Sequence, residues 1–314
     1  MHANTPPPVA NPQRRRFSLF IVGISYLLFF GLLAYVIHQK GEALTSLSWD
    51  RAWSFVGVIA MALVITVLRG MLNQVSFSLE HHISLLSGVQ LAVVNTVGNY
   101  LPMSGGLIAK GLLLARHYGI GYTFYAGVSI YTFLLSISAN GLLGIVGSLA
   151  TGQPPLFIAG FALVLMVGVF SLIPIPAGIG RLREGLGEKL EYARVHCARL
   201  VVPLWLITLG MFLIAALRLE LAFSVLQVEV SFFSSMLINS VTVFSRLANF
   251  VPGGIGIREF LVATMAHLTG LDFQMTILVV GVDRLGEVVV NFLLGGLMIA
   301  RHPGLFKAGP PNPR

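Results

Sequence analysis

The sequence predicts an all-α, polytopic membrane protein, and its composition and hydrophobic patterning both indicate that class. Of the 314 residues, 56% are hydrophobic and only 10% are charged, whereas soluble domains carry roughly 25% charged residues. Apolar runs of spanning length recur along the chain, and Pro and Gly interrupt two further apolar segments. We predict about six full spans plus two re-entrant broken-helix pairs, arranged as inverted repeats.

The net charge of +8 does not indicate a nucleic-acid partner. The basic residues lie between apolar runs, as the positive-inside rule expects, and not in an aromatic-studded patch. The lone Cys197 excludes an intramolecular disulfide and offers no thiolate cluster. We expect neither a metal site nor a cofactor.

The apolar runs set the order of the spans. The run 17–37 follows three consecutive arginines without an evident cleavage site, so it predicts an uncleaved first span. The Pro-rich residues 1–16 predict a disordered cytoplasmic tail, 17–302 the transmembrane domain, and 303–314 a second cytoplasmic tail. The remaining predicted spans lie at about 53–79, 122–150, 155–175, 201–227 and 273–300.

Two pairs of shorter apolar pieces flank strings of Pro and Gly. Pieces 84–101 and 105–117 flank Pro102, while pieces 231–249 and 256–268 flank Pro252. Proline ends a helix, and adjacent glycines adopt backbone angles closed to other residues. Each string therefore predicts two helix ends that meet inside the bilayer, with free backbone groups at the break.

An internal repeat relates the two breaks, at a spacing of about 150 residues. Upstream, Arg69 precedes Arg218 by a similar spacing, and downstream the segment at Asn140 resembles the one at Asn291. We predict repeat one at about 53–150 and repeat two at about 201–300. The matched residues at the breaks are Asn99 with Asn249, Tyr100 with Phe250, Leu101 with Val251, Pro102 with Pro252, and Gly106 with Gly256.

The distribution of cations favours re-entrant pairs. If each broken pair returns to its own side, the N-terminal arginines, the basic loop 181–199 and the C-terminal tail all face the cytoplasm. If the first pair crosses the bilayer, that basic loop faces outward, against the positive-inside rule. We therefore expect a cell membrane protein with both termini in the cytoplasm and the two repeats in opposite orientations.

Ionisable residues inside the bilayer cost roughly 2.5–3.5 kcal/mol each on insertion scales, so each needs a role. Asp283 lies ten residues into the final span, about 15 Å deep, and shares a face with Glu287, beside which the spacing also places Arg284. Arg258 stands in the first turn of a helix, where the positive dipole end disfavours a cation. A bound phosphate would use its guanidinium together with free N–H groups.

A purely structural role stays open, because these charges could only neutralise one another and fix the helices. Lys110 is either the first-repeat counterpart of Arg258 or a cation that reaches the membrane surface. Arg69 and Arg218 could be structural or part of a pathway. The predicted substrate-binding residues are Arg246, Asn249, Pro252, Gly253, Gly254, Gly256, Arg258, Glu259, Asp283, Arg284 and Glu287 at the second break, with Asn99, Pro102 and Lys110 at the first.

The string from Pro252 to Glu259, followed by Asp283 and Arg284, resembles the lysylphosphatidylglycerol synthase transmembrane (flippase-like domain) family over about residues 17–300. The resemblance implies movement of lipid across the bilayer. In the family this domain can precede an aminoacyl-transferase, for which we expect no room after the last span, so we do not expect the synthase activity. Members often have Pro-x-Arg-x-Gly-Glu at the first break, but Pro102 here begins a string without that Arg and Glu. Another phospholipid, a polyprenyl-linked glycan or a hopanoid-like lipid fits the site as well as lysyl-phosphatidylglycerol.

The sequence predicts a transporter and not an enzyme, with a membrane lipid as partner and a possible homo-oligomer or separately encoded enzyme beside it. Arg258, Arg246 and Arg284 would hold the headgroup, while the carboxylates position these cations or exchange protons. One alternative is an intramembrane lipid-modifying transferase with Glu259 or Asp283 as base. Another is a non-catalytic envelope-assembly protein.

Overall fold

The computed structural model describes residues 49–78, 81–99, 105–170, 199–245 and 256–301. The regular structure of these residues is entirely α-helical. Several predictions fall outside these ranges: the first span at 17–37, the basic loop at 181–198, the two breaks and both tails. The all-α prediction is confirmed for the part of the chain that the structure describes.

The first half of the described chain contains two long helices around two short ones, followed by a fifth helix. The predicted piece 122–150 coincides with the observed helix, and the other boundaries differ from the predictions by a few residues. The helices are α1 (Trp49–Phe77), α2 (Leu85–Gly98), α3 (Gly105–Tyr118), α4 (Tyr122–Ala150) and α5 (Pro155–Phe170).

The second half repeats this order of long and short helices. One predicted piece, 231–249, is interrupted at Val241, so its helix is divided into a nine-residue segment and a single turn. The helices are α6 (Val201–Val225), α7 (Phe232–Ser240), α8 (Thr242–Ser245), α9 (Ile257–Leu268) and α10 (Phe273–Arg301).

Hydroxyl side chains bond to backbone carbonyls on both sides of the interruption between α7 and α8. Ser240 Oγ donates to the Leu237 carbonyl at 2.6 Å, and Thr242 Oγ1 donates to the Asn239 carbonyl at 2.7 Å. Such local bonds compete with the backbone ladder and bend helices.

The first short helix of each half begins with the same cap. Ser84 Oγ accepts the backbone N–H of Ser87 at 3.2 Å, and Ser231 Oγ accepts that of Ser234 at 3.2 Å. In both pairs the two serine hydroxyls are also 3.0 Å apart. A serine cap satisfies one of the free N–H groups in the first helical turn. The two caps are thus a further matched pair within the predicted repeats, at the start of α2 and α7.

Glycines allow the helices to pack closely. A Cβ at Gly286 in α10 would lie 2.6 Å from Val58 of α1, and a Cβ at Gly141 in α4 would lie 2.5 Å from the backbone nitrogen of Leu165 in α5. α1 packs along α6 and also against α10. The centre of α10 is thereby enclosed by helices from both halves.

The exposed surface of the described chain is that of a membrane protein. Trp53, Leu156, Leu163 and Phe260 are more than half exposed, whereas several charged side chains are buried between helices. Three of the described helices are long and apolar enough to span a membrane, namely Ala52–Phe77, Tyr122–Ala150 and Val201–Val225. α10 has 29 residues but carries three charged residues at its centre, and these residues form the site described next.

Candidate functional site

Asp283 lies at the centre of a buried guanidinium pair. Arg218 of α6 donates to it from Nε at 2.6 Å and from Nη2 at 3.0 Å. Arg258 of α9 donates from Nη2 to the second carboxylate oxygen at 2.9 Å. A two-point bond of this kind fixes the orientation of both groups as well as neutralising charge. Asp283 thus joins three helices, α6, α9 and α10.

Glu287, one turn after Asp283 on the same face of α10, contacts three arginines. Arg69 of α1 donates to its Oε1 at 2.8 Å, while Oε2 lies 3.5 Å from Arg258 and 4.0 Å from Arg218. The same Arg69 nitrogen also lies 3.3 Å from the Thr96 hydroxyl of α2. Through Glu287 the first half of the chain joins the charged site of the second half.

Glu259 caps the helix that carries Arg258. Its Oε2 accepts the backbone N–H of Gly256 at 2.7 Å, and its Oε1 lies 2.9 Å from Arg284 Nε. Gly256 has φ of +86°, a left-handed conformation that favours glycine. A carboxylate in the first helical turn stabilises the N-terminus and offsets the unfavourable position of Arg258.

These seven side chains form one arginine–carboxylate cluster, and its exposure is uneven. Four arginines face three carboxylates, which leaves one excess positive charge. The side chains of Asp283 and Glu259 are each 2% exposed, whereas those of Arg69, Arg258 and Arg284 are 28%, 16% and 13% exposed. The more exposed side chains of the cluster are therefore arginines, whereas Arg218, at 3%, and the carboxylates, at 2–9%, lie deeper. Its members are Arg69, Arg218, Arg258, Arg284, Glu259, Asp283 and Glu287.

Several predicted site residues meet in this cluster and others do not. Gly256, Arg258, Glu259, Asp283, Arg284 and Glu287 lie together at the junction of α9 and α10. Arg284, which the spacing on α10 placed beside Glu287, also contacts Glu259 of α9. Six predicted residues lie outside the described residues: Pro102, Arg246, Asn249, Pro252, Gly253 and Gly254.

The two described first-break residues lie outside the cluster. Lys110 donates to Asn73 Oδ1 at 2.6 Å, and its ammonium lies 5.6 Å from the centroid of the Tyr125 ring. Asn99 follows the last turn of α2, where its N–H bonds to the Asn95 carbonyl at 3.1 Å. Lys110 is thus held between α1, α3 and α4.

The predicted site list omitted Arg69 and Arg218, yet both belong to the cluster. The signal was present in the sequence, since these arginines occupy matching positions of the two repeats and lie within spans. An arginine inside a predicted span indicates function by default. The carboxylate partner of Arg69, Glu287, lies 218 positions away along the chain, and that of Arg218, Asp283, lies 65 positions away. Helical spacing links only residues three or four apart.

Among the described residues, no three His, Cys, Asp or Glu side chains are placed to hold a metal ion. Each carboxylate of the cluster already contacts an arginine. The chemistry that the cluster offers is recognition of an anion by guanidinium groups.

Comparison with known protein families identifies a match over most of the chain. The family model for the lysylphosphatidylglycerol synthase TM region matches residues 18–295, which include all the described helices except the last turns of α10. No curated protein matches the chain.

Proposed function

Because the chain belongs to the lysylphosphatidylglycerol synthase transmembrane family, we propose that it moves an anionic or lipid-linked substrate between the leaflets of the membrane. The family match and the apolar helices support a membrane protein of lipid or envelope biology. The proposal adds a transport role, in which the headgroup passes the arginine–carboxylate cluster while the acyl chains stay in the bilayer.

The observation that carries the proposal is the uneven exposure of the cluster. Ion pairs that only fix helices require neither more arginines than carboxylates nor arginines that are more exposed than the carboxylates. Here the partly exposed side chains are those of Arg69, Arg258 and Arg284, while Asp283 and Glu259 are almost fully buried. A phosphate that reaches this side meets N–H donors in the planar arrangement that it binds best.

The geometry gives the carboxylates a positioning role. Asp283 accepts N–H groups from two arginines, and Glu259 is engaged by Gly256 and Arg284. A buried carboxylate whose oxygens already accept N–H groups offers a substrate proton no open approach, and a general base must lie within hydrogen-bond reach of the proton it takes. This argues for transport over the alternative of an intramembrane transferase. We propose no proton exchange by these groups.

We place the route for the headgroup between the two predicted breaks. The described ends of α2, α3, α8 and α9 flank the two breaks, and Arg69 connects the first half to Glu287. In the proposed arrangement the two halves are inverted repeats, and the substrate passes between them. The protein would lie in the cell membrane with both termini cytoplasmic, where a C-terminal fluorescent fusion is expected to fluoresce and a phosphatase fusion to stay inactive.

The test is a proteoliposome assay that measures movement of fluorescent phospholipids between leaflets. We expect the wild type to move anionic lipids and Arg258→Ala to reduce the rate by about tenfold, since a charge-assisted hydrogen bond is worth about 1.5–3 kcal/mol. Arg116→Ala, at an exposed position in the last turn of α3, is the matched control and is expected to behave as the wild type.

Three results would count against the proposal. Wild-type protein that moves no lipid of the panel would refute transport. Arg258→Ala with wild-type rates would leave the cluster structural, as an envelope-assembly role predicts. A change in the mass of a lipid incubated with the pure protein would support the transferase.

A further inference from the structure

A second polar site lies in the first half of the chain, between α1, α2, α3 and α4. We define this first-half site by Arg69, Asn73, Asn95, Lys110 and Tyr125. Its central group is the Lys110 ammonium, which lies 2.6 Å from Asn73 Oδ1 and 5.6 Å from the Tyr125 ring centroid. Asn73 Nδ2 donates to the Gly88 carbonyl at 3.0 Å, so the amide oxygen of Asn73 is held toward Lys110.

Lys110 has no counter-charge among the described residues. Its contacts there are the neutral Asn73 amide and the face of Tyr125, and the described ion pairs of the neighbouring helices do not include it. An ammonium has three donors, and a cation inside a membrane normally pairs with an anion. The unused charge indicates an anionic ligand.

Arg69 adds a second cation one turn away. It precedes Asn73 by four residues on α1, so the two side chains share a face. Its contacts with Glu287 and Thr96 are both made by Nη1, and its side chain is 28% exposed. The described contacts leave Nε and Nη2 of Arg69 available, on the face of α1 that also holds the Lys110–Asn73 pair.

Asn95 adds an acceptor that has no donor. Its Oδ1 is buried and makes no hydrogen bond. The backbone around Asn95 lies against Gly106 of α3, since a Cβ at that glycine would clash with the Asn95 carbonyl. Lys110 follows Gly106 by one helical turn on the same face. Asn95 therefore lies at the contact between α2 and the helix that carries Lys110. A buried acceptor without a partner costs free energy unless a ligand supplies a donor.

From these groups we infer that the first-half site binds a lipid whose phosphodiester headgroup carries a free hydroxyl, as a glycerol or sugar headgroup does. The phosphate contacts Lys110 and Arg69, and the hydroxyl donates to Asn95 Oδ1. A headgroup that ends in an ammonium or a quaternary amine would meet two cations and bind less well. The inference rests on the proposed function, because it assigns the substrate class and a second binding point on the same route.

The test measures lipid binding and not transport. The full chain in detergent is titrated with three lipids of identical acyl chains and followed by native mass spectrometry. The lipids are phosphatidylglycerol, phosphatidylpropanol, which keeps the charge and lacks the hydroxyls, and phosphatidylethanolamine. We expect the wild type to bind phosphatidylglycerol about tenfold more tightly than either of the others, in line with one charged and one neutral hydrogen bond.

Three variants separate the contribution of Lys110 to lipid binding from that of Asn95. Lys110→Met is expected to weaken binding of phosphatidylglycerol about tenfold, while Lys110→Arg retains it. Asn95→Leu is expected to bring phosphatidylglycerol and phosphatidylpropanol to within about twofold of each other and to leave binding of phosphatidylpropanol unchanged. Arg116→Ala again serves as the control. If Lys110→Met fails to fold, the Asn95→Leu comparison decides alone.

The inference is overturned if Asn95→Leu still prefers phosphatidylglycerol, or if folded Lys110→Met binds it as tightly as the wild type. Complete displacement of the lipid by soluble glycerol phosphate would assign the site to a free anion, which also overturns it. These outcomes differ from failure of transport. Lys110-dependent binding without movement in proteoliposomes would retain the site and refute transport, whereas movement without Lys110-dependent binding would do the reverse.

Discussion

The two halves of this protein share a backbone plan but differ in charge. Both have a serine-capped short helix after a long one, and both contain, after their short helices, a 29-residue helix with a buried asparagine. Asn140 and Asn291 each donate Nδ2 to the carbonyl four residues earlier, at 2.8 and 2.7 Å. That earlier residue is Ser136 in the first half and Glu287 in the second. The comparison teaches that the two halves share caps and backbone bonds, whereas the buried carboxylates of the described residues, Glu259, Asp283 and Glu287, lie in the second half.

The paired arginines show how the halves are joined. Arg69 and Arg218 occupy matching positions, yet both bond to carboxylates of α10. Arg218 pairs within its own half and is buried, whereas Arg69 reaches across from the other half and is partly exposed. The site is therefore asymmetric although the backbone plan is repeated.

Removing the carboxylate at the centre of the charged half is expected to have the largest effect. Asp283→Asn leaves Arg218 and Arg258 without their shared counter-charge, and breaking a buried pair costs about 3–5 kcal/mol. Thermal unfolding in detergent is the measurement, with Glu220→Gln on the adjacent α6 as control. A melting temperature equal to that of the wild type would show that the buried charges of the second half do not hold the helices.

Replacing the paired arginines sharpens the comparison. Arg218→Met removes the two-point bond to buried Asp283 and is expected to destabilise the fold by about 3 kcal/mol. Arg69→Met removes one contact of a partly exposed side chain and is expected to cost about 1 kcal/mol. The same unfolding assay ranks the two variants. Equal losses would contradict the asymmetry between the halves.

The serine caps test what the halves share. Ser84→Ala and Ser231→Ala each remove a bond from the cap to the helix N-terminus, at a cost of about 0.5–2 kcal/mol. Because the two caps have the same geometry, we expect losses that agree within about 0.5 kcal/mol. Thermal unfolding of both variants beside Ser78→Ala, an exposed serine outside the caps, checks this. A loss confined to one half would break the structural repeat.

The sequence predicted the helices well, because each is a long apolar run bounded by polar, Gly or Pro residues. It did not predict the interruption at Val241, because the apolar run continues through this residue and its hydropathy shows no break. Hydroxyl bonds to nearby carbonyls flank the interruption. The predicted site contained both acids of α10 and the Arg258–Glu259 pair. It lacked Arg69 and Arg218, since contacts between distant helices depend on packing that no local pattern records.

The pairing of Arg284 illustrates the same limit. Helical spacing placed this residue beside Glu287, and its guanidinium also contacts Glu259 at the start of α9, a partner that spacing within α10 does not show. Spacing within one helix gives the available neighbours. Packing against a second helix adds partners that this spacing does not show.

The most direct test of the central claim is the selectivity of transport for headgroup charge. Phosphatidylglycerol and phosphatidylcholine are followed together in the same proteoliposomes, so vesicle size and protein content cancel from the ratio of their rates. If the partly exposed arginines of the cluster select the substrate, the wild-type rate for phosphatidylglycerol is about ten times that for phosphatidylcholine. Arg258→Gln then lowers this ratio to about one, while Arg116→Gln leaves it unchanged. A wild-type ratio near one, or a ratio unaffected by Arg258→Gln, would contradict the account.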